Sequence, residues 1–157
     1  MKTYILMFIS IILLTTSCKK EKQLCNDSLV FGTYYGNCAG NCFNVFRLDY
    51  DKLQEDEIPE HLIDYTTYTF SATKTLDESK FNLVKNLIYE IPAELKLQTN
   101  KVYGCPDCAD EGGVFLEVTI DGKSTRFNID NYNSPDQSAE ILSFKTKIHN
   151  AVYLIYN

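Results

Sequence analysis

Four of the six cysteines in this 157-residue chain fall in two short clusters, "CAGNC" with Cys38 and Cys42, and "GCPDCADEGG" with Cys105 and Cys108. A C-x3-C and a C-x2-C pair can offer four thiolates to a tetrahedral zinc ion, and Gly36, Gly40 and Gly104 would let both loops curl around it. The same four side chains can instead close two disulfides, or Cys105 and Cys108 can cycle between dithiol and disulfide. Cycling needs a lowered thiol pKa, which the N-terminus of a helix supplies. Here the residues after Cys108 run "ADEGGVFLEV", a diglycine followed by a strand pattern, and Asp107, Asp110 and Glu111 would raise a thiolate's pKa by like-charge repulsion.

The compartment decides between thiolates and disulfides. Residues 1–17, "MKTYILMFISIILLTTS", carry one Lys, an apolar run and then small hydroxylated residues, the three-part plan of a secretory signal. The apolar run of eleven residues rises only about 16 Å as a helix against a hydrocarbon core of about 30 Å, so it targets the chain rather than spanning a membrane. Ser17 followed by Cys18 and "KKEKQ" resembles the lipobox of bacterial lipoproteins. That resemblance implies cleavage before Cys18, acyl chains such as palmitate on its thiol and amine, and a lipid anchor in the bilayer of the cell envelope, with the outer membrane as the expected location. The alternative is an ordinary secreted protein with Cys18 free or bridged. In either case the thiols meet an oxidising compartment, which favours disulfides over zinc.

Which disulfides form stays open at this level. In the loop-entropy model, closing Cys105 on Cys108 contributes roughly 2 kcal/mol and linking the two clusters roughly 4 kcal/mol, whereas proximity favours the local bond. The expectation is that Cys38, Cys42, Cys105 and Cys108 gather at one end of a sheet, with Cys25 the odd one. "CPDC" also resembles the C-P-x-C motif of thioredoxin-like thiol oxidoreductases, but without the helix that would activate it.

Charge narrows the partners. Removing residues 1–17 takes away Lys2 alone among the charged side chains, leaving 14 basic against 21 acidic residues and a net charge of −7. Such a chain repels phosphate backbones, so nucleic acid is not an expected partner. His61 and His149 read as surface residues, and neither falls in a G-x-S-x-G, HExxH or phosphate-loop context. "DCADE" lacks the spacing of a calcium loop and reads as solvated turn carboxylates.

The elements that must position these loops come from periodicity. Residues 29–36 and 43–50 read as a hairpin, 51–64 as a charged surface connection, and "YTTYTFSAT" as a third strand because Tyr68, Phe70 and Ala72 alternate with Thr and Ser. Phe81, Val84, Leu87, Ile88 and Ile91 recur at helical spacing, with Asp77 or Thr75 as cap and Pro92 as stop. Asp121-Gly122 signals a type I′ turn, which sets Ile120 opposite Lys123, Leu116 opposite Phe127 and Glu117 opposite Arg126 as an exposed ion pair. Ser134, Pro135 and Gln137 open a last helix whose stripe is Ile141, Phe144, Ile148, Val152 and Ile155.

The expected fold is α+β, an antiparallel sheet of about five strands with two helices on one face, in the order βββαββα. One domain over 28–157 follows a signal peptide (1–17) and a lipid anchor with polar tether (18–27). The pairing of a Cys- and Gly-containing first loop with "GCPDCADEGG" is similar to small envelope lipoproteins of Gram-negative bacteria. The function expected is a non-catalytic, disulfide-stabilised binding or interaction module for a protein or small ligand. A zinc protein using the four clustered cysteines and a thiol oxidoreductase stand as the alternatives, and no other cofactor is implied.

Overall fold

The computed structural model describes residues 27–36, 42–56, 66–71, 74–97 and 99–157. Cys18, Cys25, Cys38, His61 and residues 1–17, read above as a signal, lie outside them. The described chain is an α+β fold built on a mixed seven-stranded sheet with two α-helices.

The hairpin of β6 (Gly113–Ile120) and β7 (Lys123–Asp130) has the register the turn predicts: Ile120 faces Lys123, Val118 Thr125, Leu116 Phe127 and Val114 Ile129. Asp121 and Gly122 both have positive φ, 52° and 76°, the conformation a type I′ turn requires. Arg126 Nε donates to Glu117 at 2.7 Å, and this pair is only about one-fifth exposed rather than fully solvated.

β6 also pairs with β1 (Ser28–Tyr34), every residue of which is buried, and β1 pairs in turn with β2 (Phe43–Leu48). Outward from β2 come β3 (Leu53–Asp56) and β4 (Lys74–Thr75). The stretch expected as a surface connection therefore contributes a strand: Leu53 is fully buried opposite Leu48, and the ladder with β2 supplies what the sparse apolar pattern does not advertise. At the far edge β5 (Lys101–Tyr103) runs parallel to β7, which makes the sheet mixed rather than purely antiparallel.

Residues 66–71 form no strand. They lie across the face of the sheet away from the helices, where Tyr68 packs edge-on against Phe115 at 5.2 Å and Phe70 joins the same cluster. Alternation there reports one apolar side, which a segment draped over a sheet face satisfies as well as a paired strand does.

Helix α1 (Glu78–Val84) begins at Asp77, whose carboxylate accepts from Lys80 N at 3.0 Å, and tightens into a 3-10 turn over Lys85–Tyr89. Helix α2 (Ala139–Tyr156) starts at Ser138, one turn later than the Ser134 cap expected; Ser134 instead closes a turn onto Gln137 N. Its five-residue stripe is buried as the periodicity requires. Strand alternation divides the interior in two: Leu29, Phe31, Phe46, Leu116 and Phe127 meet the helices, while Val30, Tyr34, Val45 and Phe115 meet Tyr68 on the opposite face. The sheet thus has apolar clusters on both faces. Among the described residues no helix is long and apolar enough to cross a membrane.

Candidate functional site

The loops that carry the two cysteine clusters leave the same end of the sheet. One follows β1 and the other follows β5, which lies two strands beyond β6. Asp107, the third residue of "CPDC", joins them. It sits at a positive φ of 65°, and its Oδ1 accepts from Gly36 N at 3.0 Å in the first loop and from Gly112 N at 3.1 Å in its own. Both donors belong to glycines for a steric reason. A Cβ on Gly36 would come within 1.8 Å of the Asp107 carboxylate, and one on Gly112, at φ 69°, within 1.8 Å of the Tyr34 carbonyl oxygen. At Gly112 the backbone itself leaves no room for a side chain, and at Gly36 a side chain would displace the Asp107 carboxylate that makes the clamp.

Cys105 and Cys108 are bridged to each other, with their α-carbons 5.5 Å apart. The entropically larger gain of a link between loops is not taken at these two residues; the local bond is, and Asp107 connects the loops by hydrogen bonds. Neither sulfur of the bridge is a thiolate, and the residues around it form turns, with Cys108 N bonded to Cys105 O and Asp110 N to Asp107 O. Cys42 is also disulfide-bonded, and its carbonyl accepts from Tyr35 N at 3.0 Å at the mouth of the first hairpin. Among the described residues no group of three or more His, Cys, Asp or Glu is placed to hold a metal.

Between the two loops, on the face of the sheet away from the helices, lies a cavity of about 410 Å³, within the range of about 300–1,000 Å³ usual for small-molecule sites. Tyr34 and Phe43 form an aromatic wall, their rings 6.4 Å apart and within 14° of parallel. Val102, Pro106 and Cys108 complete the apolar lining, and Val102 is exposed because β5 is the edge strand. Two polar side chains contribute, Asp107 and Asn128. Asn128 is held by Tyr34, whose hydroxyl donates to Asn128 Oδ1 at 2.7 Å.

A second polar cluster braces the disulfide loop from behind. Asp130, at the end of β7, accepts from Cys105 N at 2.9 Å and from Tyr132 N at 2.9 Å, and Asp136 accepts from Gly104 N at 3.0 Å. Lys145 of α2, only 6% exposed, donates to the carbonyls of Asp130 at 2.8 Å and Asn131 at 3.0 Å and to Gln137 Oε1 at 2.8 Å. Burial lowers its pKa, opposed by the charge of Asp130. Periodicity hides this lysine inside the stripe: it sits one turn after Ile141, and a cation in an apolar stripe is the signal that finds it.

His149 is not the surface residue expected. It is half-buried on α2, its Nε2 lies 3.0 Å from Asn131 Oδ1, and burial together with the Lys145 ammonium lowers its pKa. On the other face Tyr68 donates to the buried carboxylate of Asp56 at 2.6 Å, and burial, then Asp56, pushes the phenol far above its ordinary value. Tyr103 is pushed up to about 12 by burial and the nearby Glu94. Within "DCADE", Asp107 is the loop clamp and Glu111 accepts from the Tyr132 hydroxyl at 3.0 Å, so these two carboxylates are engaged structurally rather than merely solvated.

No protein-family model matches the chain, and no curated protein matches it.

Proposed function

We propose that this chain is a non-catalytic binding module of the bacterial cell envelope, held to the outer membrane by acyl chains on Cys18, with a small ligand or a partner's side chain seated in the cavity between the two cysteine-bearing loops. The observation that carries the reading is the construction of that cavity. An aromatic wall and two oriented polar groups stand between loops that Asp107 clamps together and a local disulfide braces. Preorganisation of this kind lowers the cost of binding, and the lining offers recognition groups in the proportion typical of ligand sites, mostly apolar with few polar. The anchor rests on the order of apolar run, Ser17 and Cys18, and several acyl chains hold a protein durably where one does not.

Two measurements test the two halves. Cells fed labelled palmitate should label the chain in their membrane fraction, and Cys18→Ser should abolish both label and membrane recovery; an uncleaved, unlabelled chain in the cell interior would refute the anchor. Small neutral fragments titrated against the isotope-labelled chain should shift the resonances of Phe43, Val102 and Asn128 together. If no fragment moves them, the cavity is not a binding site.

A further inference from the structure

The two polar groups in the cavity differ in kind, and together they select a ligand. Asn128 spends its Oδ1 on the Tyr34 hydroxyl, while its Nδ2 makes no hydrogen bond among the described residues. Buried side-chain polar atoms there all have partners, so this nitrogen is one that solvent reaches. Asp107 spends Oδ1 on the N–H groups of Gly36 and Gly112, and its Oδ2 makes no hydrogen bond among the described residues. The cavity is thus lined by two residues that each keep an unused polar atom, the donor Asn128 Nδ2 and the acceptor Asp107 Oδ2, the latter beside Gly36, next to a wall of near-parallel aromatic rings.

Leaving either group unpaired under a bound ligand costs its full desolvation. An anion would meet the Asp107 charge, an ammonium has nothing to accept the Asn128 hydrogen, and a hydrocarbon would strand both. A hydroxyl donates and accepts at once. A ring that carries adjacent hydroxyls on its edge and C–H groups on its face can meet Asp107, Asn128 and the Phe43 ring together. We infer that the cavity is a site for a neutral sugar ring, with hydroxyls held by Asp107 Oδ2 and Asn128 Nδ2 and the apolar face of the ring on the aromatic wall. This rests on the reading of the cavity as a binding site.

Two isosteric substitutions invert the outward atoms while keeping the inward bonds. Asn128→Asp retains an oxygen for the Tyr34 hydroxyl, and Asp107→Asn retains an oxygen for the two glycine N–H groups. The full chain and both variants, first matched by thermal melting, are titrated with the methyl glycosides of glucose, galactose, mannose and N-acetylglucosamine, with shifts followed at Phe43 and at the backbone amide of position 128. At least one glycoside should bind, and each variant should weaken it by up to about tenfold: Asp107→Asn replaces a charge-assisted hydrogen bond by a neutral one, and Asn128→Asp makes the facing hydroxyl turn its hydrogen away from its other partner. Linear oligosaccharides of the binding sugar then separate two sources: tighter binding than the monomer points to the end of a glycan, equal binding to a free sugar. Glycosides that leave Phe43 and Asn128 unmoved, or that bind both variants as well as the parent, overturn the inference. Tetrahydropyran or N-methylacetamide moving those resonances when no glycoside does would overturn it while leaving the binding site standing; silence from every probe removes both.

Discussion

The two faces of the sheet are built on different principles. The face under α1 and α2 is filled by aliphatic and phenyl groups, from Leu29 and Phe31 through Leu116 and Phe127 to Ile141 and Ile148, all essentially inaccessible to solvent. The opposite face is smaller and aromatic, and its rings carry hydroxyls with assigned partners: Tyr68 on Asp56, Tyr34 on Asn128. The face under the helices is held mainly by non-directional packing, with the Tyr103 hydroxyl on Glu94 and the Lys145 ammonium on backbone carbonyls among its directional groups. A face held by hydrogen-bonded aromatics orients what it does not use, and the cavity with its spare donor and acceptor opens on that side. Non-directional packing dominates one side of the sheet and hydrogen-bonded aromatic packing the other, and the proposed ligand site lies on the second.

The largest effect that would break this contrast is on the helix side. Phe31 is fully buried and 5.7 Å from the Phe46 ring. Phe31→Ala should cost about 4 kcal/mol in urea unfolding, the combined transfer and cavity terms, while the nearly volume-conserving Phe31→Leu should cost under about 1.5 kcal/mol. Equal losses for the two variants would show that shape rather than volume holds that face.

On the aromatic face the expected dependence is reversed. Tyr68→Phe preserves volume and ring packing on Phe115 but removes the donor to Asp56, which also accepts from Ser71 N at 3.1 Å. A hydrogen bond to a buried carboxylate is worth about 2 kcal/mol, so the loss should be near that figure although only an oxygen has gone. An unchanged unfolding midpoint would mean that the hydroxyl network there is incidental.

How much of this could be read beforehand follows the same division. The β6–β7 register was legible because a two-residue turn needs positive φ at Asp121 and Gly122, and a slip of one residue would turn Leu116 and Phe127 outward. The α2 stripe was legible for a similar reason, since five apolar residues at helical spacing have one consistent reading. β3 was not, because Leu-Gln-Glu-Asp carries a single apolar residue and becomes a strand only through its ladder with β2. β5 is short and its parallel partner β7 lies beyond an intervening strand in the chain, and no local pattern announces that pairing. At the site, the thiols were conspicuous but the geometry turns on Asp107, Gly36 and Asn128. Their importance comes from contacts between loops distant in sequence, which spacing within either loop does not encode.

The smallest expected effect sharpens the contrast at its edge. Among the titratable groups of the helix side, His149 at the α2–β7 margin faces Asn131 and stands near Lys145. Its folded pKa lies below the ordinary 6.5, so between those two values the unfolded chain binds a proton that the folded chain does not. Stability should therefore fall as pH drops through 6.5 and level off once the folded imidazole also protonates. His149→Gln keeps an amide to pair with the Asn131 side chain and has no proton to take up. Unfolding midpoints compared at about pH 7.5 and about pH 5.5, on either side of the ordinary imidazole value, should show a smaller drop in the variant than in the parent, with His61 common to both. An identical drop in the two proteins would place the acid sensitivity elsewhere, and would leave the α2–β7 margin without a part in it.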